Sequence, residues 1–259
     1  MSKNMGQNLP FSISQNFLTS RKLIERLLHK TNINKNDIVL EIGAGKGHIT
    51  KALTQRSKQV IAYEIDKKLY DNLLHQLDPN TRLIYGDFLK SNLLKTPYKV
   101  FSNIPFSRTT EIMRKFTIAN NPPTDMWLVM EKGAAKRFCG FPFENLNSLL
   151  IKPFFETKIV YHFQREDFHP APKVNIVLLE IKQKQIPDIM LSQRSNYQYF
   201  ISHSIKNGLF GSQSLLTKNQ IKTALKHAKL PQIERSGQVL YVQWLCLFRY
   251  WLQFIKKHK

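Results

Sequence analysis

The most restrictive feature of this chain is a unit in which two short apolar runs enclose a glycine-rich turn and a helix. The first run is Asp37 to Ile42, the turn is Gly43-Ala-Gly-Lys-Gly47, a helical stretch continues to about Ser57, and the second run is Gln59 to Glu64. Apolar runs this short, bounded by turn residues, read as buried strands. The pattern continues with strands at Arg82 to Gly86, Lys99 to Ser102, Met126 to Met130 and Asn175 to Lys182. Strands alternating with helices predict βαβ units, hence an α/β domain whose mostly parallel sheet is flanked by helices. Upstream, residues 1–20 read as a polar, extended arm with the apolar anchors Leu9, Phe11, Ile13, Phe17 and Leu18. A helix is expected from Thr19 or Ser20, with Leu23, Ile24, Leu27 and Leu28 on its buried face.

The 259 residues have room for one such domain and a smaller one. Composition shifts near Ile186-Pro187-Asp188, and from residue 189 onward eleven Lys and Arg stand against a single acid, Glu234. Thr217, with Gln220 three residues on, has the pattern of a capping box. It opens a helix to Lys229 with Ile221, Ala224, Leu225 and Ala228 on the buried face and Lys218, Lys222, Lys226 and Lys229 on another. A second, aromatic helix is expected from Gln238 to Ile255. The expected division is therefore 1–185, an α/β domain, and 186–259, a small, basic, all-helical domain. The lysine row is either an ordinary solvated face or a phosphate-contacting one; the absence of acids within it favours phosphate.

Over the whole chain 39 Lys and Arg oppose 18 Asp and Glu, a formal charge of +21 that suits a polyanionic partner. An anionic membrane is the weaker option, because no apolar run approaches the roughly 20 residues that cross a bilayer. Met1 to Gln15 lacks the apolar core of a secretory signal. Cys139 and Cys246 are far apart and in no ligand pattern, so neither a disulfide framework nor a metal site is expected. A reducing cytoplasm is the simplest setting.

Three places carry chemistry. In Glu41-x-Gly43-x-Gly45-x-Gly47 the glycines let the chain turn tightly and let a ligand approach the backbone, at a strand–helix junction that offers unpaired N–H groups. Glu64 ends the next strand, where a carboxylate can accept both hydroxyls of a ribose. This geometry suits any adenosine cofactor, although Gly-x-Gly-x-Gly differs from the Gly-x-Gly-x-x-Gly of dinucleotide sites, and Gly47 after Lys46 excludes a phosphate-binding P-loop. Asp87, after the third strand, can accept a hydrogen bond from an adenine amino group, cap a helix, or do both.

The third place is Ser102-Asn103-Ile104-Pro105-Phe106. An adenine amino group is a poor nucleophile because its lone pair is delocalised into the ring. Two acceptors aimed at its hydrogens would pull the nitrogen toward tetrahedral geometry. The side-chain oxygen of Asn103 can be one and the carbonyl of Ile104 the other, held in place because Pro105 restricts both its own φ and the residue before it. Phe106 offers a face on which a flipped base can stack. Taken alone, the tetrapeptide is also an ordinary turn after a strand.

Together these pieces closely resemble the ribosomal RNA adenine N6-dimethyltransferases. The resemblance is carried by Ser14-Gln-Asn-Phe-Leu18, Glu41-Ile-Gly-Ala-Gly-Lys-Gly-His48, Glu64-Ile-Asp66, Gly86-Asp87, Asn103-Ile-Pro-Phe106 and Phe168-His-Pro-Ala-Pro-Lys-Val-Asn175, in order over roughly the first 180 residues. It implies a Rossmann-like S-adenosylmethionine-dependent methyltransferase domain with a small all-helical C-terminal domain that binds RNA. It also implies S-adenosylhomocysteine as product, no metal, and a monomer. Asn16, Leu18, Gly43, Gly45, Glu64, Asp87 and Asn103 are then cofactor contacts, the arm at Gln15 to Leu18 closing over the cofactor. Asn103 and Ile104 face the target amine, and Phe106 and Phe168 sandwich the adenine. Phe106 departs from relatives that carry Tyr, and Phe168 before Pro170 and Pro172 also reads as a core anchor. Gly45-Lys-Gly-His48, Asn103-Ile-Pro105 and Met130-Glu-Lys-Gly-Ala-Ala-Lys-Arg-Phe138 resemble the Erm branch. That branch modifies 23S rRNA, here expected before full ribosome assembly, and confers macrolide, lincosamide and streptogramin B resistance. The housekeeping KsgA branch, acting on 16S-type rRNA, more often shows Gly-Pro-Gly and Asn-Leu-Pro-Tyr. A non-catalytic RNA-binding assembly factor on the same fold and a NAD-dependent enzyme are the remaining alternatives; the intact motif disfavours the first, the glycine spacing and charge the second.

Overall fold

A computed structural model of the protein describes residues 16–234 and 237–255. In chain order the elements are β1 (Phe17–Leu18), α1 (Arg21–Leu28), β2 (Ile38–Ile42), α2 (His48–Thr54), β3 (Gln59–Glu64), α3 (Lys67–Leu73), β4 (Thr81–Tyr85), β5 (Lys99–Asn103), α4 (Thr109–Thr117) and β6 (Asp125–Glu131). Then come α5 (Lys132–Cys139), α6 (Leu146–Ile151), β7 (Phe155–His162), β8 (Phe168–His169), β9 (Ile176–Gln183), α7 (Arg194–Asn207), α8 (Lys218–His227) and α9 (Tyr241–Ile255).

The seven-stranded sheet runs β4-β3-β2-β5-β6-β9-β7, parallel from β4 to β6, with β9 antiparallel to β6. The order reverses between β2 and β5, and the C-terminal ends of strands at such a switch point form the ligand crevice of open α/β sheets. The mostly parallel sheet is the one the alternation predicts, and the fold is the Rossmann-like one the resemblance implies. Helix α1 starts where its cap allows: Ser20 Oγ accepts from the Leu23 N–H at 3.3 Å, and Leu23, Ile24, Leu27 and Leu28 are buried in the core with Phe101, Trp127 and Val129 of the sheet. Strand β7 is absent from the sequence reading. It lies at a sheet edge, and Glu156, Thr157 and Lys158 fill its first half, leaving only Ile159, Val160 and Tyr161 as a short apolar run.

Two compact units are present. One comprises the described residues up to Ala135 together with Lys158–Gln183; the other comprises Lys136–Thr157 and the described residues from Lys184 on. A single cut at 185 places 136–157 with the α/β domain, but these residues group with the C-terminal helices. Tyr197 of α7 donates its hydroxyl to the Leu149 carbonyl at 3.0 Å, the Arg194 guanidinium lies 4.3 Å from the Phe154 ring centroid, and the Asp188 N–H donates to the Pro153 carbonyl at 2.8 Å. Within this unit Tyr197, Phe200, Phe248 and Trp251 pack ring against ring. Helix α8 has the expected capping box, Thr217 with Gln220, and buries Ile221, Ala224 and Leu225. Ala228 is exposed instead, since it sits at the C-cap where the helical stripe has run out. Lys218, Lys222, Lys226 and Lys229 are all exposed. Among the described residues no helix is long and apolar enough to cross a membrane, and no cluster of metal-ligating side chains occurs.

Candidate active site

A cleft with about 930 Å³ of empty space, open solvent included, lies at the C-terminal ends of β2, β3, β4 and β5. Asn16, Gly43, Gly45, Glu64, Asp87, Asn103, Ile104 and Phe106 all line it. Residues spread over 90 positions of sequence thus meet in one cleft.

The glycine turn is shaped by its neighbours. The Gly43 and Ala44 N–H groups donate to the Tyr63 carbonyl at 2.8 and 3.0 Å, and the Gly47 N–H donates to the Ala44 carbonyl at 2.8 Å. Gly43, Gly45 and Gly47 have φ of +75°, +57° and +79°, in the left-handed region that side chains resist. A Cβ on Gly45 would come within 2.8 Å of the Phe17 ring, so β1 crosses directly over the turn. A Cβ on Gly43 or Gly86 would meet nothing within 4 Å. Both face the cleft, so backbone is bared to a ligand there.

Glu64 is 1% exposed, and its two oxygens are each engaged once: Oε2 accepts from the Gly45 N–H at 2.7 Å and Oε1 from the Asp66 N–H at 2.8 Å. It holds the turn in shape, and each oxygen keeps a further lone pair. Asp87 is a helix cap, and it carries an ion pair as well. Its Oδ1 accepts from the Leu89 N–H at 2.9 Å, as a cap, while Oδ2 meets Arg108 Nη1 at 3.0 Å. Partial burial disfavours its charge, but the Leu89 N–H and the Arg108 guanidinium outweigh that and hold the carboxyl below the usual carboxylate range. Arg108 also pairs with Glu111 at 2.9 Å. Sequence reasoning missed Arg108; the only trace was a cation two residues past Phe106, and its partner lies 21 positions upstream.

Asn103 ends β5. Its Nδ2 donates to the Asn16 carbonyl at 2.7 Å, which ties the motif to the arm. Its Oδ1 is buried and has no hydrogen-bond partner. A buried polar atom without a partner is uncommon and calls for a ligand or water to complete it. Ile104 donates its N–H to the Val129 carbonyl at 3.3 Å and is 2% exposed; Pro105 follows at φ −63°, ψ 117°. Phe106 is half-buried and lines the cleft.

Leu18 and Phe168 are placed differently. They face each other across the β1–β8 ribbon, are 3% and 4% exposed, and belong to the core, with the Phe168 ring 5.1 Å from that of Phe163. Neither is among the residues that line the cleft, and Phe168 sits in the hydrophobic core. The physical reason is the β1–β8 pairing, which turns both side chains inward. Of the arm, only Asn16 onward is described; Gln15 and the residues before it lie outside the described residues.

The open backbone at Gly43 and Gly86, the carboxylates of Glu64 and Asp87 and the orphaned Asn103 oxygen fit an adenosine-type group bearing a methyl donor. Known proteins agree. The profile of the family described as ribosomal RNA adenine dimethylase matches residues 6–251. An rRNA adenine N-6-methyltransferase of Bacillus licheniformis is 32% identical over 99% of this chain and 91% of its own length. One of Escherichia coli is 34% identical over 96% and 98%. The crystal structure of the 23S rRNA methyltransferase ErmE superposes with a TM-score of 0.78 at 25% identity, covering 92% of this chain and all of that one. A dimethyladenosine transferase from Plasmodium falciparum has the same fold, with a TM-score of 0.71 at 19% identity over 93% and 98%. With a match across nearly its whole length and a cleft built from the residues that carry the resemblance, the chain belongs to the ribosomal RNA adenine dimethylase family of methyltransferases.

Proposed function

We propose that the chain transfers methyl groups from S-adenosylmethionine to N6 of one adenine in 23S rRNA, twice, acting as a cytoplasmic monomer before full ribosome assembly and conferring macrolide, lincosamide and streptogramin B resistance. The observation that carries the chemistry is the buried, unpartnered Oδ1 of Asn103 at the wall of a cleft that also holds the glycine turn, Glu64 and Asp87. When bound, the cofactor supplies an electrophilic methyl on a sulfonium.

The chain's own residues do the rest. The bared backbone of the turn receives the cofactor, the spare lone pairs of Glu64 take its ribose hydroxyls, and Asp87, kept ionised by Arg108, takes its adenine amino group. Asn103 Oδ1 and the Ile104 carbonyl accept the two hydrogens of the target amine and pull its lone pair out of the ring. Nδ2 of Asn103, fixed on the Asn16 carbonyl, keeps Oδ1 aimed. Phe106 stacks on the flipped base. No strong base is needed, because the methylated, cationic nitrogen loses its proton readily to water. Residues 186–259, with their exposed lysines, take phosphates of the RNA.

The choice of 23S over 16S rRNA is supported by Gly45-Lys-Gly-His48 and Asn103-Ile-Pro105, which resemble the Erm branch, and by the likeness to ErmE. Purified protein given labelled cofactor with protein-free 23S or 16S rRNA should label 23S rRNA only. Label confined to 16S rRNA would move the protein to the housekeeping branch.

A further inference from the structure

The unit formed by Lys136–Thr157 and the C-terminal helices carries an aromatic feature that the methyl-transfer chemistry does not use. Between α5 and α6, the loop Gly140-Phe141-Pro142-Phe143 leaves two phenylalanine rings in solvent, Phe141 at 59% and Phe143 at 61% exposure. Large rings exposed to this degree in a mobile loop would collapse onto apolar surface. This loop is pinned and cannot. The Phe141 N–H donates to the Lys136 carbonyl at 2.9 Å and the Gly140 N–H to the Arg137 carbonyl at 3.2 Å. Asn145 Nδ2 donates to the Arg137 carbonyl at 2.8 Å, and Gln238 Nε2 to the Pro142 carbonyl at 3.1 Å. Glu144 is tied down by Lys152 and by the Ser148 hydroxyl, within the capping box that starts α6.

The charge around the rings is positive. The Lys136 ammonium sits 4.9 Å from the Phe141 ring centroid, Arg137 beside it is exposed, and Glu144, which follows Phe143, is already paired with Lys152. Rigid, exposed aromatic faces beside cations match single-stranded nucleic acid, whose bases stack on the rings while its phosphates meet the cations. An apolar protein partner would gain nothing from the cations, and the chain's +21 charge favours a polyanion.

We propose that Phe141 and Phe143 form a stacking platform for unpaired bases of the RNA substrate, with Lys136 and Arg137 taking the phosphates alongside. This rests on the reading of the chain as an RNA methyltransferase. Aromatic stacking is sequence-tolerant, so the platform holds RNA without selecting the target adenine.

The test uses the full chain and a short single-stranded RNA containing 2-aminopurine, whose fluorescence is quenched by stacking. Affinity is followed by anisotropy across a salt series. Phe141→Ala with Phe143→Ala should weaken binding roughly tenfold and abolish the added quenching. The salt slope should stay the same, because the cations that meet the phosphates are all still present. Thermal stability and S-adenosylhomocysteine binding should also be unchanged, the rings being exposed. Phe→Trp at both positions should restore affinity, whereas Phe→Leu, apolar but without a ring, should not. Equal affinity and quenching in the double Ala variant and the parent would overturn the platform and leave the methyltransferase reading standing. Loss of a dimer in the double variant, with RNA affinity unchanged, would overturn it in favour of a protein contact. A parent that binds no RNA would overturn both.

Discussion

Asn103 is held at one end of its side chain and unpartnered at the other: Nδ2 is fixed by the Asn16 carbonyl while Oδ1 is buried without a hydrogen-bond partner. That asymmetry separates an aimed acceptor from a turn residue, because a structural asparagine in a buried position has both ends satisfied. Asn103→Ala should therefore cost far more activity than stability. Preorganised groups aimed at changing charge are worth about 10²–10³ in rate, so kcat should fall by that order with cofactor affinity changed by less. A variant with ordinary kcat would remove Asn103 from the chemistry. Glu41 makes a second residue-scale case. It is 1% exposed, and burial pushes its carboxyl up to about 8. The Thr50 hydroxyl beside it pulls the other way without closing a well-aligned bond, and the Glu64 charge adds to the rise. The folded-state value lies above the ordinary 4.5, so between the two the folded chain holds a proton that the unfolded chain releases. Stability is thus untouched below the lower value and falls as pH rises toward the upper one. Glu41→Gln should flatten that decline and be more stable at the alkaline end by on the order of 1–3 kcal/mol. Urea midpoints measured across the window check this; parallel curves for the two proteins would contradict it.

At the scale of elements, the glycine turn and β1 act as one piece, because the Phe17 ring occupies the space where a Gly45 side chain would go. Gly45→Ala should displace β1 and lose stability as well as cofactor affinity. Gly43→Ala carries a similar left-handed strain, about 1–2 kcal/mol, but puts its methyl into the cleft, so its cofactor affinity should fall by more than its stability loss explains. Thermal melts with and without S-adenosylhomocysteine separate the two. These elements are readable in the sequence because their signals are local: the turn between two apolar runs, Ser20 before α1, Thr217 with Gln220 before α8. What is not readable depends on distant partners. The Asp87–Arg108 pair joins two loops after different strands, and β7 is an edge strand whose charged residues break the apolar run. Phe168 reads equally as a stacking face or a core anchor until its pairing with Leu18 turns it inward.

At the scale of the molecule, the +21 charge is a statement about partners, not about the fold. Of the lysines in the basic tail, Lys218, Lys222 and Lys226 share one exposed row on α8, and Lys229 lies exposed just past its C-cap. Replacing all four with Gln should weaken RNA binding and lower its salt slope by roughly 0.7–0.9 for each phosphate that the row neutralises, without changing cofactor binding. An unchanged slope would return that row to an ordinary solvated face. Lys136–Thr157 joins the same unit as α8, so its loop and the lysine row belong to one compact body even though more than 70 residues separate them.

If Asn103 directs methyl groups onto an adenine of 23S rRNA, nucleoside mass spectrometry reads it most directly. Protein-free 23S rRNA treated with the parent protein and S-adenosylmethionine should yield N6,N6-dimethyladenosine at one position, and the Asn103→Ala variant should yield almost none. No methylated adenosine from the parent, or an equal yield from the variant, would contradict it.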